Sequence, residues 1–272
     1  MEYLLVPFHY EYMRYAFWVG IMVSITCGML SCFITLKGWS LMGDALSHSV
    51  VPGVAIAYYW HWPFSIGAFL TGMIAALGMS FVKMKTNLKE DVVTGVVFTS
   101  FFALGVFLIS LNPEGVQLQT IVLGNILSLD VTDLYQVSII CSLCILVLIL
   151  KWKDIFLVSF DPIFAKSLGL NVNILQILLL TLLSAAAVAC LQAVGACLVV
   201  AMLVTPGASA FLLTQNFGKM LIFSIIISVI SAFFGIYLSY FIDGATGACV
   251  VVLQTIIFAI IYFYKRMRRE AA

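Results

Sequence analysis

Asp44 and His48 lie four residues apart in Gly43-Asp44-Ala45-Leu46-Ser47-His48-Ser49-Val50-Val51-Pro52-Gly53-Val54, an ionisable pair in an otherwise apolar stretch. On a helix this spacing stacks carboxylate and imidazole on one face, with Ser47 beside them. An ionisable side chain at the centre of a membrane span costs roughly 2.5–3.5 kcal/mol or more, so by default it marks a pathway or a binding site. Pro52 has no amide hydrogen, which predicts that the His48 carbonyl loses its helical partner and faces the same cavity, with Pro52 and Gly53 shaping the break. An aspartate oxygen with a histidine nitrogen suits manganese, iron or zinc, whereas calcium and magnesium take oxygen ligands almost exclusively. One chain supplies too few ligands for a divalent ion. A twofold dimer with the path on its axis would supply two carboxylates and two imidazoles. A transport site must also release its ion, which favours an open set completed by water over a closed cage. A second reading of the same residues is a helix N-cap near Lys37, with Asp44 satisfying free amides and His48 bonded to it.

Such a pair needs apolar elements around it, and the chain is built of them. Of 272 residues, 64% are hydrophobic and 9% charged, against about 25% charged in soluble domains. This composition predicts an all-α, multi-pass membrane protein forming a single domain over residues 1–272. A length of about 20 apolar residues per span places candidate helices at 17–36, 42–60, 64–83, 91–110, 132–150, 174–192, 194–213, 219–241 and 246–264. An eight-span count follows if 194–213, with Pro206 and Gly207, fails to cross. With nine spans, Lys37, Lys83, Lys85, Lys89, Lys151, Lys153, Lys166, Lys219 and the tail from Lys265 to Arg269 fall on one side. By the positive-inside rule that side is the cytoplasm, with the N-terminus outside and the C-terminus inside. No removable signal peptide is evident near the N-terminus.

Several function classes drop out. A net charge of +1 suggests no nucleic-acid partner, and no G-x-x-x-x-G-K-[ST] loop is present to bind ATP. A His-Glu-x-x-His helix is also absent, which argues against an intramembrane metalloprotease. The seven cysteines sit in apolar segments away from oxidant or partner thiol and read as small apolar packing residues. His61, between Trp60 and Trp62, reads as an interfacial anchor.

Two connections are long enough to carry structure. Asn112 to Thr132 falls outside and includes Leu118–Leu129, too short to span. Lys151 to Asn173 falls in the cytoplasm. There Asp161 is placed to cap a short helix with Pro162 at its first position, and Gly169 to end it. Val50-Val51-Pro52-Gly53-Val54-Ala55 is echoed by Leu203-Val204-Thr205-Pro206-Gly207-Ala208, as in transporters built from inverted repeats with broken helices along the substrate path. Asp243, with Ser239 one turn earlier, reads either as a loop carboxylate or as part of an outer gate.

The segment Gly38–Tyr58 (GWSLMGDALSHSVVPGVAIAY) resembles the signature of the permease subunits of bacterial manganese, iron and zinc ATP-binding-cassette importers. Phe160–Leu170 (FDPIFAKSLGL) resembles that family's ATPase-docking loop. Ala193–Leu212 and Tyr237–Val251 are similar as well, so the resemblance covers nearly the whole chain after about residue 15. In Gln119–Leu127 the sequence departs from many manganese or iron members, which carry an Asp-His pair there, while its Leu-Gly-Asn turn is intact.

The resemblance implies an inverted-repeat, type II-like importer in the bacterial inner membrane. It implies a homodimer of permeases with two cytoplasmic ATPases and an external metal-binding delivery protein. Asp44 and His48 would line or gate the metal path. Asp161, Pro162, Ala165, Lys166, Leu168 and Gly169 would couple to the ATPase, on which ATP is hydrolysed, so the chain itself is not an enzyme. Manganese or iron is the expected cargo, with a zinc permease as the alternative within the family. An ATP-independent carrier or channel, and a sensor or structural bundle, are the alternatives of other classes.

Overall fold

The computed structural model describes residues 2–86, 88–111 and 131–270. Regular structure among them is entirely helical: α1 (Glu2–His9), α2 (Glu11–Lys37), α3 (Met42–Ser49), α4 (Val51–Tyr59), α5 (Phe64–Lys85), α6 (Glu90–Ser110), α7 (Val131–Phe160), α8 (Pro162–Ser167), α9 (Val172–Val194), α10 (Ala196–Leu213), α11 (Phe217–Ile242) and α12 (Thr246–Glu270). Seven of these are long and apolar enough to cross a membrane: α2, α5, α6, α7, α9, α11 and α12. Two of the expected spans depart from a single long helix. Residues 42–60 divide into α3 and α4 at Val50, and 194–213 becomes the shorter α10, set off from α9 by Gly195 at φ 88°. The external segment 112–130, including Gln119–Leu127, lies outside the described residues.

Helix α2 is the centre of the bundle, packed against α7, α10 and α11, while most of α6 is exposed. In a bilayer no hydrophobic force brings helices together, so close approach at small residues does. Gly28 of α2 is one such point, where a Cβ would stand 3.1 Å from the Ser224 carbonyl and 3.2 Å from Ser228 Cβ of α11. Ser224 Oγ donates to the Gly28 carbonyl across that contact at 2.6 Å.

Three boundaries differ from the sequence-based expectation, the last helix α12 running on to Glu270 instead of 264. The span predicted to stop at residue 150 continues as α7 to Phe160, through Lys151, Lys153 and Asp154. Lys151 pairs with Asp154 at 3.1 Å on the exposed face, while Ile155 and Val158 stay buried and Phe156 stacks on Phe217. An apolar stripe plus an i,i+3 ion pair is enough to carry a helix out of the bilayer. Likewise α2 starts at Glu11 rather than 17, because Met13, Ala16 and Phe17 are buried. The thiols also differ: Cys27 of α2 does have a partner, with its Sγ 2.9 Å from that of Cys190 of α9, both fully buried.

The proline in α10 sits where that helix meets α2 most closely. Helix α10 runs unbroken through Pro206, and α2 bridges it beside the proline: Ser31 Oγ donates to the Val204 carbonyl at 3.1 Å and accepts from the Gly207 amide at 2.7 Å. The approach is so close that a Cβ on Gly207 would collide with Ser31. Ser31→Ala removes both bonds, one buried and one part-buried, and is expected to cost about 1–3 kcal/mol, read as a lowered thermal midpoint of the detergent-solubilised protein.

Candidate functional site

Helix α3 buries every face but one. Met42, Gly43, Ala45, Leu46, Ser47 and Ser49 are enclosed, while the Asp44 and His48 side chains are 42% and 21% exposed. His48 Nε2 lies 3.4 Å from Asp44 Oδ1. The pair therefore forms, and it forms at the boundary of the bundle. The N-cap alternative does not, because the cap position is Leu41, without a side-chain cap bond, and Asp44 lies inside the first turn. There its charge still interacts favourably with the helix dipole.

Each neighbour of the pair has a definable job. Behind α3, Gly43 admits α10, so that a Cβ would stand 3.4 Å from Leu203 Cδ1 and 3.7 Å from Val200 Cα. To one side, the His48 ring meets Phe98 and Phe102 of α6 at centroid distances of 5.5 and 5.4 Å. These two aromatics wall the imidazole, and the sequence reading did not single them out. Their signal is an i,i+4 aromatic pair in the segment Thr94–Ala103, where Gly95, Thr99 and Ser100 interrupt an apolar run.

Ser47 does not open with the pair, being fully buried with its hydroxyl donating to the Gly43 carbonyl at 2.6 Å. The His48 carbonyl is not left free by Pro52, because the Val50 amide turns to it. Val50 keeps right-handed helical angles (φ −79°, ψ −16°), so the break between α3 and α4 is a local loosening rather than a reversal. Pro52 and Gly53 are pinned from two sides. Gly105 of α6 rides over the Pro52 ring, where a Cβ would come within 3.0 Å of Cδ, and Gly53 and Gly67 of α5 touch backbone to backbone. Both glycines are thus required by packing.

The remaining candidate residues lie elsewhere. Pro206 and Gly207 face α2 through Ser31, and α10 reaches α3 one turn earlier, at Leu203. At the α11–α12 turn, Asp243 adopts a left-handed conformation (φ 54°) and is exposed, while the buried Ser239 donates to Thr246 Oγ1 at 3.2 Å. The turn is not among the elements packed on α3. Trp60 and Trp62 pack edge to face at 5.3 Å around His61, itself at φ 55°.

The capping chemistry read from Asp161 is present in full. Its Oδ1 accepts from the amides of Ile163 (3.0 Å) and Phe164 (2.9 Å), Pro162 opens α8, and Gly169 at φ 81° follows its end, with the Leu170 amide returning to the Ala165 carbonyl. Ala165 anchors α8 as its buried residue, whereas Ile163 is 85% and Phe164 52% exposed. The chain's own packing thus leaves the largest apolar residues of the capped helix uncovered.

The model of the ABC 3 transport family matches residues 9–265, a span that contains the paired site, the capped helix and the α11–α12 turn. The chain belongs to the ABC 3 transport family. It is 52% identical over 264 residues to the chelated iron transport system membrane protein YfeC of Yersinia pestis, covering 97% of this chain and 90% of that one. It is 47% identical over 259 residues to the manganese transport system membrane protein MntB of Synechocystis sp., covering 95% and 85%. PsaBC from Streptococcus pneumoniae, solved in complex with Fab, superposes with a TM-score of 0.84 at 34% identity, covering 93% of this chain and 91% of that one. As an ABC 3 family member, the chain is a multi-pass component of an ABC transport system of the bacterial inner membrane.

Proposed function

We propose that this chain is the permease subunit of an ATP-driven importer that carries divalent manganese or iron into the cytoplasm. The observation that carries this reading is the Asp44–His48 pair, 3.4 Å apart on the single open face of a helix that is otherwise enclosed. An oxygen and a nitrogen donor presented together bind borderline divalent ions. A second copy of the chain facing the first would double the set to four donors. The printed functions of its relatives, manganese transport and chelated-iron transport, agree with that donor chemistry.

The permease works as a homodimer, receives its ion from an external metal-binding protein and is driven by a cytoplasmic ATPase that docks on α8. Ile163 and Phe164 present the apolar contact, and the Asp161 cap holds the helix in shape. The experiment is radiolabelled manganese and iron uptake in cells expressing the chain with its ATPase, beside cells whose ATPase carries a disabled catalytic site. Uptake should need hydrolysis, and equal uptake in the two would mean an ATP-independent carrier. Asp161→Ala removes both cap bonds, about 1 kcal/mol of helix stability, and is expected to reduce the ATPase recovered with the purified permease while leaving the amount of permease in the membrane unchanged.

A further inference from the structure

A small open cleft lies where the α2–α3 connection, the end of α5, the start of α6 and the first turns of α9 meet. Asp91, Thr94, Ser80 and Gln176 are its polar lining. Lys83 lies in the same cleft and donates to the Leu88 carbonyl at 3.4 Å.

The cleft and the paired site share two adjacent helices, α3 and α6. On α6, Asp91, Thr94, Phe98 and Phe102 follow one another at intervals of three or four residues, which places them along one face. Asp91 and Thr94 line the cleft, and Phe98 and Phe102 touch His48. On α3 the less buried stripe is Leu41, Asp44 and His48, and Leu41 also lines the cleft. Each helix therefore connects cleft and pair within about two turns. Between the two ends α6 carries Gly95, where an added Cβ would meet no atom within 4 Å.

We propose that this cleft is the inner mouth of the metal path, and that Asp91 is the last protein ligand a divalent manganese or iron ion meets before the cytoplasm. The inference rests on the metal-permease reading above. An ion leaving Asp44–His48 exchanges a mixed nitrogen and oxygen set for oxygen donors alone: the Asp91 carboxylate, the Thr94 and Ser80 hydroxyls, and water. Losing the imidazole weakens the hold on a borderline ion. The Lys83 ammonium in the same cleft opposes a resident dication. Weak, open binding is what release requires.

The test uses the complete transporter, with its ATPase, in inside-out membrane vesicles. Thr94→Cys should react from the cytoplasmic side with a membrane-impermeant cationic thiosulfonate, above the level of the parent chain. Mn2+ at a few times its dissociation constant should slow that reaction about fivefold by mass action. Asp91→Asn should abolish the protection in these vesicles and lower manganese uptake by whole cells about tenfold, and Asp91→Glu should restore both. A Thr94→Cys thiol that never reacts, protection that survives Asp91→Asn, or uptake by Asp91→Asn equal to wild type overturns the proposal. An Asp44→Ala arm separates it from the reading it rests on. Uptake lost at Asp44 but intact at Asp91 rejects the inner mouth alone, whereas uptake intact at Asp44 rejects the metal path itself.

Discussion

Asp44→Ala is expected to reduce manganese and iron uptake by at least about tenfold to a hundredfold, since even the outer partners of metal ligands are worth that much. His48→Ala should fall in the same range. What makes the experiment informative is that folding should survive. The carboxylate is 42% exposed, and its recorded partner is His48 at 3.4 Å. A pair exposed to that degree contributes about 0–1 kcal/mol to stability, too little to unfold a bundle of this size. Measured together, uptake and thermal midpoint should separate: transport collapses and the midpoint stays within a few degrees. If the double change Asp44→Asn with His48→Gln leaves metal accumulation untouched, the pair is a structural contact and the metal path runs elsewhere.

The largest stability effect is expected at Gly53. A Cβ there would collide with the Gly67 carbonyl and with Thr71 Oγ1, and the reciprocal Cβ on Gly67 would stand 2.7 Å from Ala57 Cβ. Backbone cannot rotate aside as a flexible side chain can, so Gly53→Val should exceed the usual cost of overpacking, about 1–3 kcal/mol. Most of the chain should then be lost to misassembly before it reaches the membrane in folded form, measured as monodisperse protein after mild solubilisation. Gly78→Ala is the matching control. It lies on the same helix as Gly67 with nothing within 4 Å of the added Cβ, so it should be neutral or stabilising by about 0.5–1 kcal/mol through helix propensity. If Gly53→Val is as well tolerated as Gly78→Ala, α4 and α5 do not cross where the structure places them.

What was legible in the chain was what local chemistry decides. The i,i+4 spacing of Asp44 and His48, the proline that loosens α3 from α4, and the Asp161–Pro162–Gly169 cap all depend on neighbours within about two turns, so the letters alone carry them. The rest depends on helices distant in sequence. That Gly53 answers Gly67, that Gly105 covers Pro52, and that Ser31 bridges Val204 and Gly207 of α10 are consequences of which helix lies beside which. Most spans here are apolar all round, and that removes the periodic signal by which a surface helix shows its inner face. Ser47 illustrates the limit: its position beside Asp44 and His48 is plain in the sequence, yet its hydroxyl is spent on its own helix. The end of α7 was misplaced for a related reason, since charged residues end an apolar run without ending a helix.

The hydroxyl of Ser31, bound at once to Val204 and Gly207, has a mechanical consequence. Sliding α10 along α2 would break both bonds inside hydrocarbon, where water offers no substitute, which favours the two helices moving together. Compliance is then left to the positive-φ glycines that bound them, Gly38 after α2 and Gly195 before α10. Gly38 adjoins the segment carrying Asp44, and Gly195 joins α10 to the helix that rises from α8. On the proposed function, a push at α8 would then reach the paired residues through these two glycine joints and not by slippage between α2 and α10.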